Sequence, residues 1–293
     1  MKVLLLGRDG QVGHELNKLL AGEVVALGRG DCDLADAGAL AAAVRRAGPE
    51  LIVNAAAYTA VDRAESEEAL AFAVNAQAPG VLAAEARRLG AFLVHYSTDY
   101  VFDGAKRAPY VETDPVNPLQ VYGRSKLAGE EAIRQSGCRH LILRSSWVYA
   151  ARGRNFALTM LQKARAGGPL KVVADQQGAP TWARDLAQLS ASLLRLRELP
   201  QGTFHAAAAG ATTWWDFAQE IFRLAGLKVE VGKIVTAEYP VKTPRPAYSA
   251  LDSNLLSKKT GLPAIGDWHA RLSAFNDFEV LRDLGRLSQH DRG

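Results

Sequence analysis

Tyr122 and Lys126 stand four apart in Val121-Tyr122-Gly123-Arg124-Ser125-Lys126, a stretch that reads as the first turns of a helix. That spacing stacks phenol and ammonium on one helix face. A tyrosine hydroxyl ordinarily titrates near pH ~10, too high to exchange protons freely at neutrality. A neighbouring ammonium favours the phenolate, so the pair is expected to lower the Tyr122 pKa and make it a general acid for a carbonyl oxygen. By itself Tyr-x-x-x-Lys is common in helices; its meaning depends on the elements that position it.

The chain opens with the apolar run Lys2-Val3-Leu4-Leu5-Leu6, followed by Gly7-Arg8-Asp9-Gly10-Gln11-Val12-Gly13 and then by helical periodicity. A buried strand thus turns into a helix through glycines spaced three apart. Gly7 can take backbone angles closed to other residues, Gly10 leaves room for a pyrophosphate, and Gly13 permits close helix–strand packing. A helix N-terminus attracts phosphate charge. The first gap is one residue longer than in G-x-G-x-x-G, yet the flanking strand and helix fit dinucleotide binding. The next strand, 23–27, runs into Gly28-Arg29-Gly30 without an acid. Arg29 there suits the 2′-phosphate of NADPH, with NADH the alternative and a solvated loop charge the plainer reading.

At 293 residues and 48% hydrophobic content the chain can bury a large core. A net charge of +4 with dispersed basic residues gives no nucleic-acid or membrane signature. Cys32 and Cys138 make no metal cluster or disulfide framework, and His14, His95, His140, His205, His269 and His290 show no ligand spacing, so no metal site is expected. Without a long apolar span or signal peptide, a cytoplasmic protein is expected.

Strand-like runs at 2–6, 23–27, 51–54, 91–97 and 139–145 alternate with helical patterns near 11–21, 36–47, 67–89 and 120–136. This predicts an α/β, Rossmann-type doubly wound parallel sheet, with all strand C-termini along one edge. Three loops on that edge carry chemistry: Asn54-Ala55-Ala56-Ala57-Tyr58-Thr59, small enough for a cofactor to lie against; His95-Tyr96-Ser97-Thr98-Asp99-Tyr100, with a hydroxyl and a carboxylate; and Arg144-Ser145-Ser146-Trp147-Val148-Tyr149, whose indole can pack in a core or wall a pocket.

Taken together, the glycine turn, the Asn-Ala-Ala-Ala loop, Ser-Thr-Asp and Tyr-x-x-x-Lys resemble the extended short-chain dehydrogenase/reductase superfamily. The wording of Asn54-Ala55-Ala56-Ala57-Tyr58-Thr59-Ala60-Val61-Asp62-Arg63-Ala64-Glu65, His95-Tyr96-Ser97-Thr98-Asp99-Tyr100-Val101-Phe102, Ser146-Trp147-Val148-Tyr149, Asp175-Gln176-Gln177-Gly178-Ala179-Pro180-Thr181 and Arg245-Pro246 is similar to the dTDP-4-dehydrorhamnose reductase family, from residue 1 to about 270. The resemblance implies reduction of the C4 ketone of dTDP-4-dehydro-L-rhamnose, a dTDP-sugar, to dTDP-L-rhamnose. It implies Tyr122 as acid, Lys126 as its partner and ribose ligand, and Thr98 in the place usually held by serine, donating to the carbonyl oxygen. Gly7, Gly10, Gln11, Val12 and Gly13 fall to the pyrophosphate turn, and Asp33 and Leu34 to the adenine. Ala57, Tyr58, Thr59 and Tyr100 fall to the rest of the cofactor. Asp99 and Trp147 fall to the sugar, and Arg245 is read as a diphosphate ligand or an exposed loop charge.

Residues 1–150 read as the dinucleotide-binding domain, to which later segments can return by crossover; 151–276 read mainly as a substrate-binding lobe and 277–293 as a loose tail. The lobe is expected to hold helices over 155–165, 182–197 and 213–224 and strands at 170–173 and 202–205, with Trp214-Trp215 as lobe packing. Some family members dimerise through a metal held by acidic side chains soon after Ala-Pro-Thr; here Arg184 stands near that place, so the bridge is not carried over and monomer and homodimer both stay open. Two rivals share the motifs. A nucleotide-sugar dehydratase usually has Glu after Thr-Asp, where this chain has Tyr100, and an epimerase shares the turn and the pair. A regulatory subunit like the methionine adenosyltransferase β subunit keeps the Tyr/Lys pair without catalysis.

Overall fold

The computed structural model describes residues 1–241 and 243–279. Its centre is a six-stranded sheet in which every pairing is parallel. The chain enters through β1 (Lys2–Leu6), α1 (Gln11–Leu19), β2 (Glu23–Leu27), α2 (Ala37–Ala47) and β3 (Leu51–Asn54). Two short helices, α3 (Val61–Ala64) and α4 (Glu68–Phe72), lead through a π-turn at Ala73–Gln77 into α5 (Ala78–Leu89) and β4 (Phe92–Thr98). A single 3₁₀ turn, Asp99–Val101, precedes α6 (Val121–Ser136) and β5 (Arg139–Ser145). The helix expected near 67–89 is therefore interrupted by a π-turn.

Successive residues of β1 alternate between two cores, Val3 and Leu5 in one, Leu4 and Leu6 in the other. That is why the strand reads as an unbroken apolar run: both faces of a parallel sheet are covered by helices. After β2 the order reverses, β3 lying on the far side of β1, and the crevice beyond such a switch point is where ligands bind in open α/β sheets. Registers Leu6↔Asn54, Asn54↔His95 and Thr98↔Ser145 bring the three chemistry-bearing loops to one edge.

Beyond β5 the chain weaves. The pair β6 (Val148–Tyr149), helix α7 (Phe156–Ala166), β7 (Leu170–Val173), β8 (Gln177–Gly178) and β9 (Thr181–Trp182) start a second lobe. Then α8 (Ala183–Leu193) packs on α1, and β10 (Gly202–His205) joins the central sheet beside β5. Residues 202–205 thus lie in the central sheet and not in the lobe where they were expected. The helix expected over 182–197 begins one residue later and is shorter, because Trp182 pairs in β9 with β6.

The lobe resumes with β11 (Thr212–Thr213), α9 (Trp214–Leu224) and β12 (Val231–Ile234); α10 (Asn254–Thr260) then packs on β10, and α11 (Trp268–Glu279) returns to the lobe. Side-chain caps start α7 and α9: Asn155 accepts from the Leu158 N–H at 3.0 Å, and Thr213 from the Asp216 N–H at 3.0 Å. Tyr149, Leu161, Trp182, Phe217, Phe222 and Phe275 form its core. Residues 277–279, expected in the tail, complete α11; the rest of that tail lies outside the described residues. No described helix is long and apolar enough to cross a membrane.

Candidate active site

The glycine turn is built by contact. Gly7 has φ +83°, and a Cβ there would stand 2.7 Å from the Ala56 amide nitrogen; a Cβ on Gly13 would stand 2.0 Å from the Gly7 carbonyl oxygen. Only glycine lets β1, α1 and the 55–60 loop approach this closely. Gly10 precedes α1 without any side-chain cap, and the first intrahelical bond runs from the His14 N–H to the Gly10 carbonyl. The Gln11, Val12 and Gly13 amides come before it, so they are the donors a helix leaves over at its start. Uncapped donors at a dipole's positive end suit a pyrophosphate. Gln11 also accepts from Asn155 Nδ2 at 2.9 Å, which ties the turn to the second lobe.

At the exit of β2, Arg29 is exposed, whereas Arg8 is engaged. Its Nη1 donates to the Ala26 carbonyl at 2.8 Å and its Nη2 pairs with Asp31 Oδ2 at 2.9 Å. Asp31 also accepts from the Gly28 N–H at 2.8 Å. Asp31 directly follows Gly30, about 20 residues beyond the glycine turn, but its carboxylate is taken up by Arg8 and the Gly28 N–H. Asp33 accepts from the Ala35 N–H at 3.0 Å, and Leu34 packs on the core beside it.

Residues 55–60 form an open loop, as their interruption by Asn54 and Thr59 suggested. Ala57 and Thr59 are exposed, while Tyr58 is held at both ends. Its hydroxyl donates to Glu67 Oε2 at 2.6 Å, and its amide and carbonyl bond to buried Asn75 at 2.9 Å each. Asn75 also donates to Ser125 Oγ at 3.1 Å, and a Cβ on Gly129 would stand 2.1 Å from its carbonyl oxygen. The π-turn around Asn75 thus locks the loop to α6, a role that nothing in the sequence pattern marked; π-turns are frequent at functional sites. Glu65 caps α6, accepting from the Val121 N–H at 2.8 Å. Gly123 lets α6 reach the β4 exit, since its Cβ would meet the Tyr100 carbonyl oxygen at 2.2 Å.

Tyr122 and Lys126 both lie on that helix, but the pair differs from expectation. Tyr122 does not owe its titration to Lys126. Burial pushes its hydroxyl up to about 12, a hydrogen bond with Thr98 pulls it back, and the Asp99 charge raises it. Lys126 Nζ instead reaches the end of β4, donating to the Tyr96 carbonyl at 2.6 Å and lying 3.3 Å from His95 Nε2. Burial lowers its pKa to about 8 against the raising influence of Glu130. His95 in turn lies 3.1 Å from Asn54 Nδ2, so the lysine sits at the end of a buried polar chain.

Thr98 donates its proton to Asp99 Oδ1 at 3.0 Å and accepts from the Tyr100 N–H at 3.1 Å. The donor expected to face a carbonyl oxygen is thus turned to its neighbour. Asp99 is 2% exposed and its Oδ2 has no protein partner. Burial raises its pKa to about 7, while the nearby Ser249 and Thr98 hydroxyls pull it down. Tyr100 meets Tyr122 edge to face at 5.9 Å. Arg245 Nη2 pairs with Asp62 Oδ1 at 2.5 Å and the side chain is 15% exposed, so it is a bridge from the lobe to α3 and no free loop charge. Trp147 leaves β5 beside this cluster and stacks on Trp214. No group of His, Cys, Asp and Glu suited to a metal occurs among the described residues.

The sequence profile of the RmlD substrate binding domain family matches residues 1–279. The chain belongs to that family. Its relatives include the dTDP-4-dehydrorhamnose reductase of Burkholderia thailandensis, 47% identical over 285 residues that span 92% of this chain and 95% of the relative. Among solved structures, the dTDP-4-dehydrorhamnose reductase of Clostridium acetobutylicum superposes with a TM-score of 0.89 at 38% identity, covering 95% of this chain and 99% of the other. That of Bacillus anthracis, solved in complex with NADP, gives 0.90 at 33% identity, with 95% and 100% covered. The resemblance read from the Asn-Ala-Ala-Ala, Ser-Thr-Asp and Tyr-x-x-x-Lys strings is thus a family relationship, and the family's extended short-chain dehydrogenase/reductase fold is the sheet described above.

Proposed function

We propose that this chain reduces the C4 ketone of dTDP-4-dehydro-L-rhamnose to dTDP-L-rhamnose with NADPH. What carries the proposal is the meeting of Thr98, Asp99, Tyr122 and Lys126 opposite an uncapped glycine turn, in a chain so similar to dTDP-4-dehydrorhamnose reductases over nearly its whole length. Gly7, Gly10, Gln11, Val12 and Gly13 receive the pyrophosphate, Arg29 the 2′-phosphate, and Asp33 and Leu34 the adenine side. Ala57, Tyr58, Thr59, Tyr100 and Lys126 border the nicotinamide half. The bound dinucleotide supplies the hydride for the sugar C4.

Tyr122 then gives its hydroxyl proton to the C4 oxygen. Because burial keeps it a phenol far above neutrality, it is always loaded for that direction of reaction. Thr98 turns its hydroxyl from Asp99 to the same oxygen and steadies the charge that develops there. Asp99, with one oxygen unpartnered, and Trp147 hold the hexose, and Arg245, exchanging Asp62 for the substrate, holds the diphosphate. Lys126 provides a positive charge at the end of β4, beside the Tyr96 carbonyl.

The Lys126 charge gives a pH dependence. Its folded-state pKa is lowered to about 8, so the ammonium is present below that value and lost above it. Since kcat/KM reports the free enzyme, it should stay level through neutrality and fall as pH rises through about 8. A profile level well beyond that point would remove the charge from the mechanism. The function itself is tested by nicotinamide oxidation with enzymatically generated dTDP-4-dehydro-L-rhamnose. Oxidation that depends on the sugar supports the reductase; NADPH binding without sugar-dependent oxidation would favour the non-catalytic, regulatory-subunit reading.

A further inference from the structure

Trp147 is the one described non-glycine residue with positive φ, at 45°. A bulky side chain holds such a backbone only where its surroundings force it. Here the forcing groups come from the other lobe. The Trp147 indole lies flat on that of Trp214, centroids 3.4 Å apart and planes within 4°. Gly178 lies against the same indole, since a Cβ on it would stand 2.4 Å from Trp147 Cε2. Trp214 is fixed in its turn: its Nε1 donates to Gln176 Oε1 at 3.2 Å, and Gln176 Nε2 donates to Thr236 Oγ1 at 3.0 Å. Asp175 anchors Thr236, accepting from its hydroxyl at 2.7 Å.

We infer that Trp214 is a positioning residue for the hexose subsite: stacked on Trp147 and pinned through Gln176, it holds that indole in its left-handed conformation and, with Gly178, fixes the sugar-facing wall. The role rests on the reading above, in which Trp147 meets the hexose. It makes the wall a joint product of two lobes. Trp147 alone, relaxed to an ordinary backbone, would leave the sugar unsupported while the dTDP and cofactor sites stayed intact.

Two variants disturb the stack from opposite members. Trp214→Ala removes the clamp, and Gly178→Ala pushes on Trp147 while leaving Trp214 in place. Both should raise KM for the 4-keto sugar by about tenfold, the worth of a lost aromatic pair. The Kd of dTDP and of NADPH, by calorimetry, should hold within about twofold on the same scale. Trp214→Phe, which keeps a stacking ring, should recover most of the loss, and near-UV circular dichroism should change in Trp214→Ala. Unchanged sugar KM in both alanine variants, with an active wild type, overturns the role. So does a parallel loss of dTDP and NADPH affinity, which would mark a collapsed lobe. A wild type that oxidises no NADPH with the ketosugar overturns the functional reading instead, and this role with it.

Discussion

Replacing Tyr122 by phenylalanine lowers kcat by about 10²–10⁴-fold, the usual worth of a positioned acid. Phenylalanine keeps the ring that meets Tyr100 edge to face, so only the hydroxyl is lost. Neither neighbour replaces it. Thr98 is far too weak an acid, whether its hydroxyl faces Asp99 or the C4 oxygen. Lys126 is directed to the Tyr96 carbonyl and His95. Single-turnover measurements with saturating NADPH isolate the chemical step, and the Kd of NADPH should change little. Turnover within a few-fold of wild type would show that the proton comes from elsewhere.

The largest expected effect on stability lies behind the site, at Glu130 and Arg144. Arg144 on β5 donates from Nε at 2.9 Å and from Nη2 at 2.6 Å to the carboxylate of Glu130 on α6. Glu130 is fully buried and Arg144 nearly so. Burial pushes the Glu130 carboxyl up, but the bonds and charge of Arg144 outweigh it and hold its pKa below the ordinary value. Arg144→Met leaves that carboxylate without its bidentate partner, the partly exposed Arg134 being its remaining ion pair, and should cost roughly 3–5 kcal/mol. Removing both charges, as Glu130→Leu with Arg144→Met, should cost much less, because the penalty is the stranded charge. The sign with pH follows: the pair's contribution is full above the ordinary glutamate range and fades as pH falls through the depressed folded-state pKa. Urea midpoints of the single and double variants decide it; equal losses in both would mean that packing and not charge is at stake.

The first half of the fold was legible because its signals are local. An unbroken apolar strand, a glycine turn and an amphipathic helix repeat from β1 to β5, and a parallel sheet with covered faces follows from them. Thr98 and Asp99 at the β4 exit and the Tyr122 and Lys126 pair on α6 could likewise be singled out from residue type and spacing alone. What escaped depends on contacts distant in sequence. The two-residue strands β6 and β9 are defined only by each other. The direction of Lys126 was misjudged because helix spacing places it near Tyr122 but cannot tell that Tyr96 offers a carbonyl closer to its reach. Asn75 looks like any polar residue in a helix until the π-turn aims it at Tyr58. Trp214 read as packing, which it does in part, but its stacking on Trp147 joins residues 67 positions apart (214 − 147) and no local pattern encodes that.

The return of β10 to the sheet has a consequence for how such proteins can be recombined. Because α8 and β10 interrupt the segments of the second lobe, that lobe is interleaved with the central sheet and is not appended to it. A cut after residue 150 would strip β5 of its outer neighbour and leave an unpaired sheet edge, which invites association with other chains. The second lobe is therefore not a detachable cassette. Exchanging it between relatives requires splicing each interleaved segment separately, together with the sheet strand that runs between them.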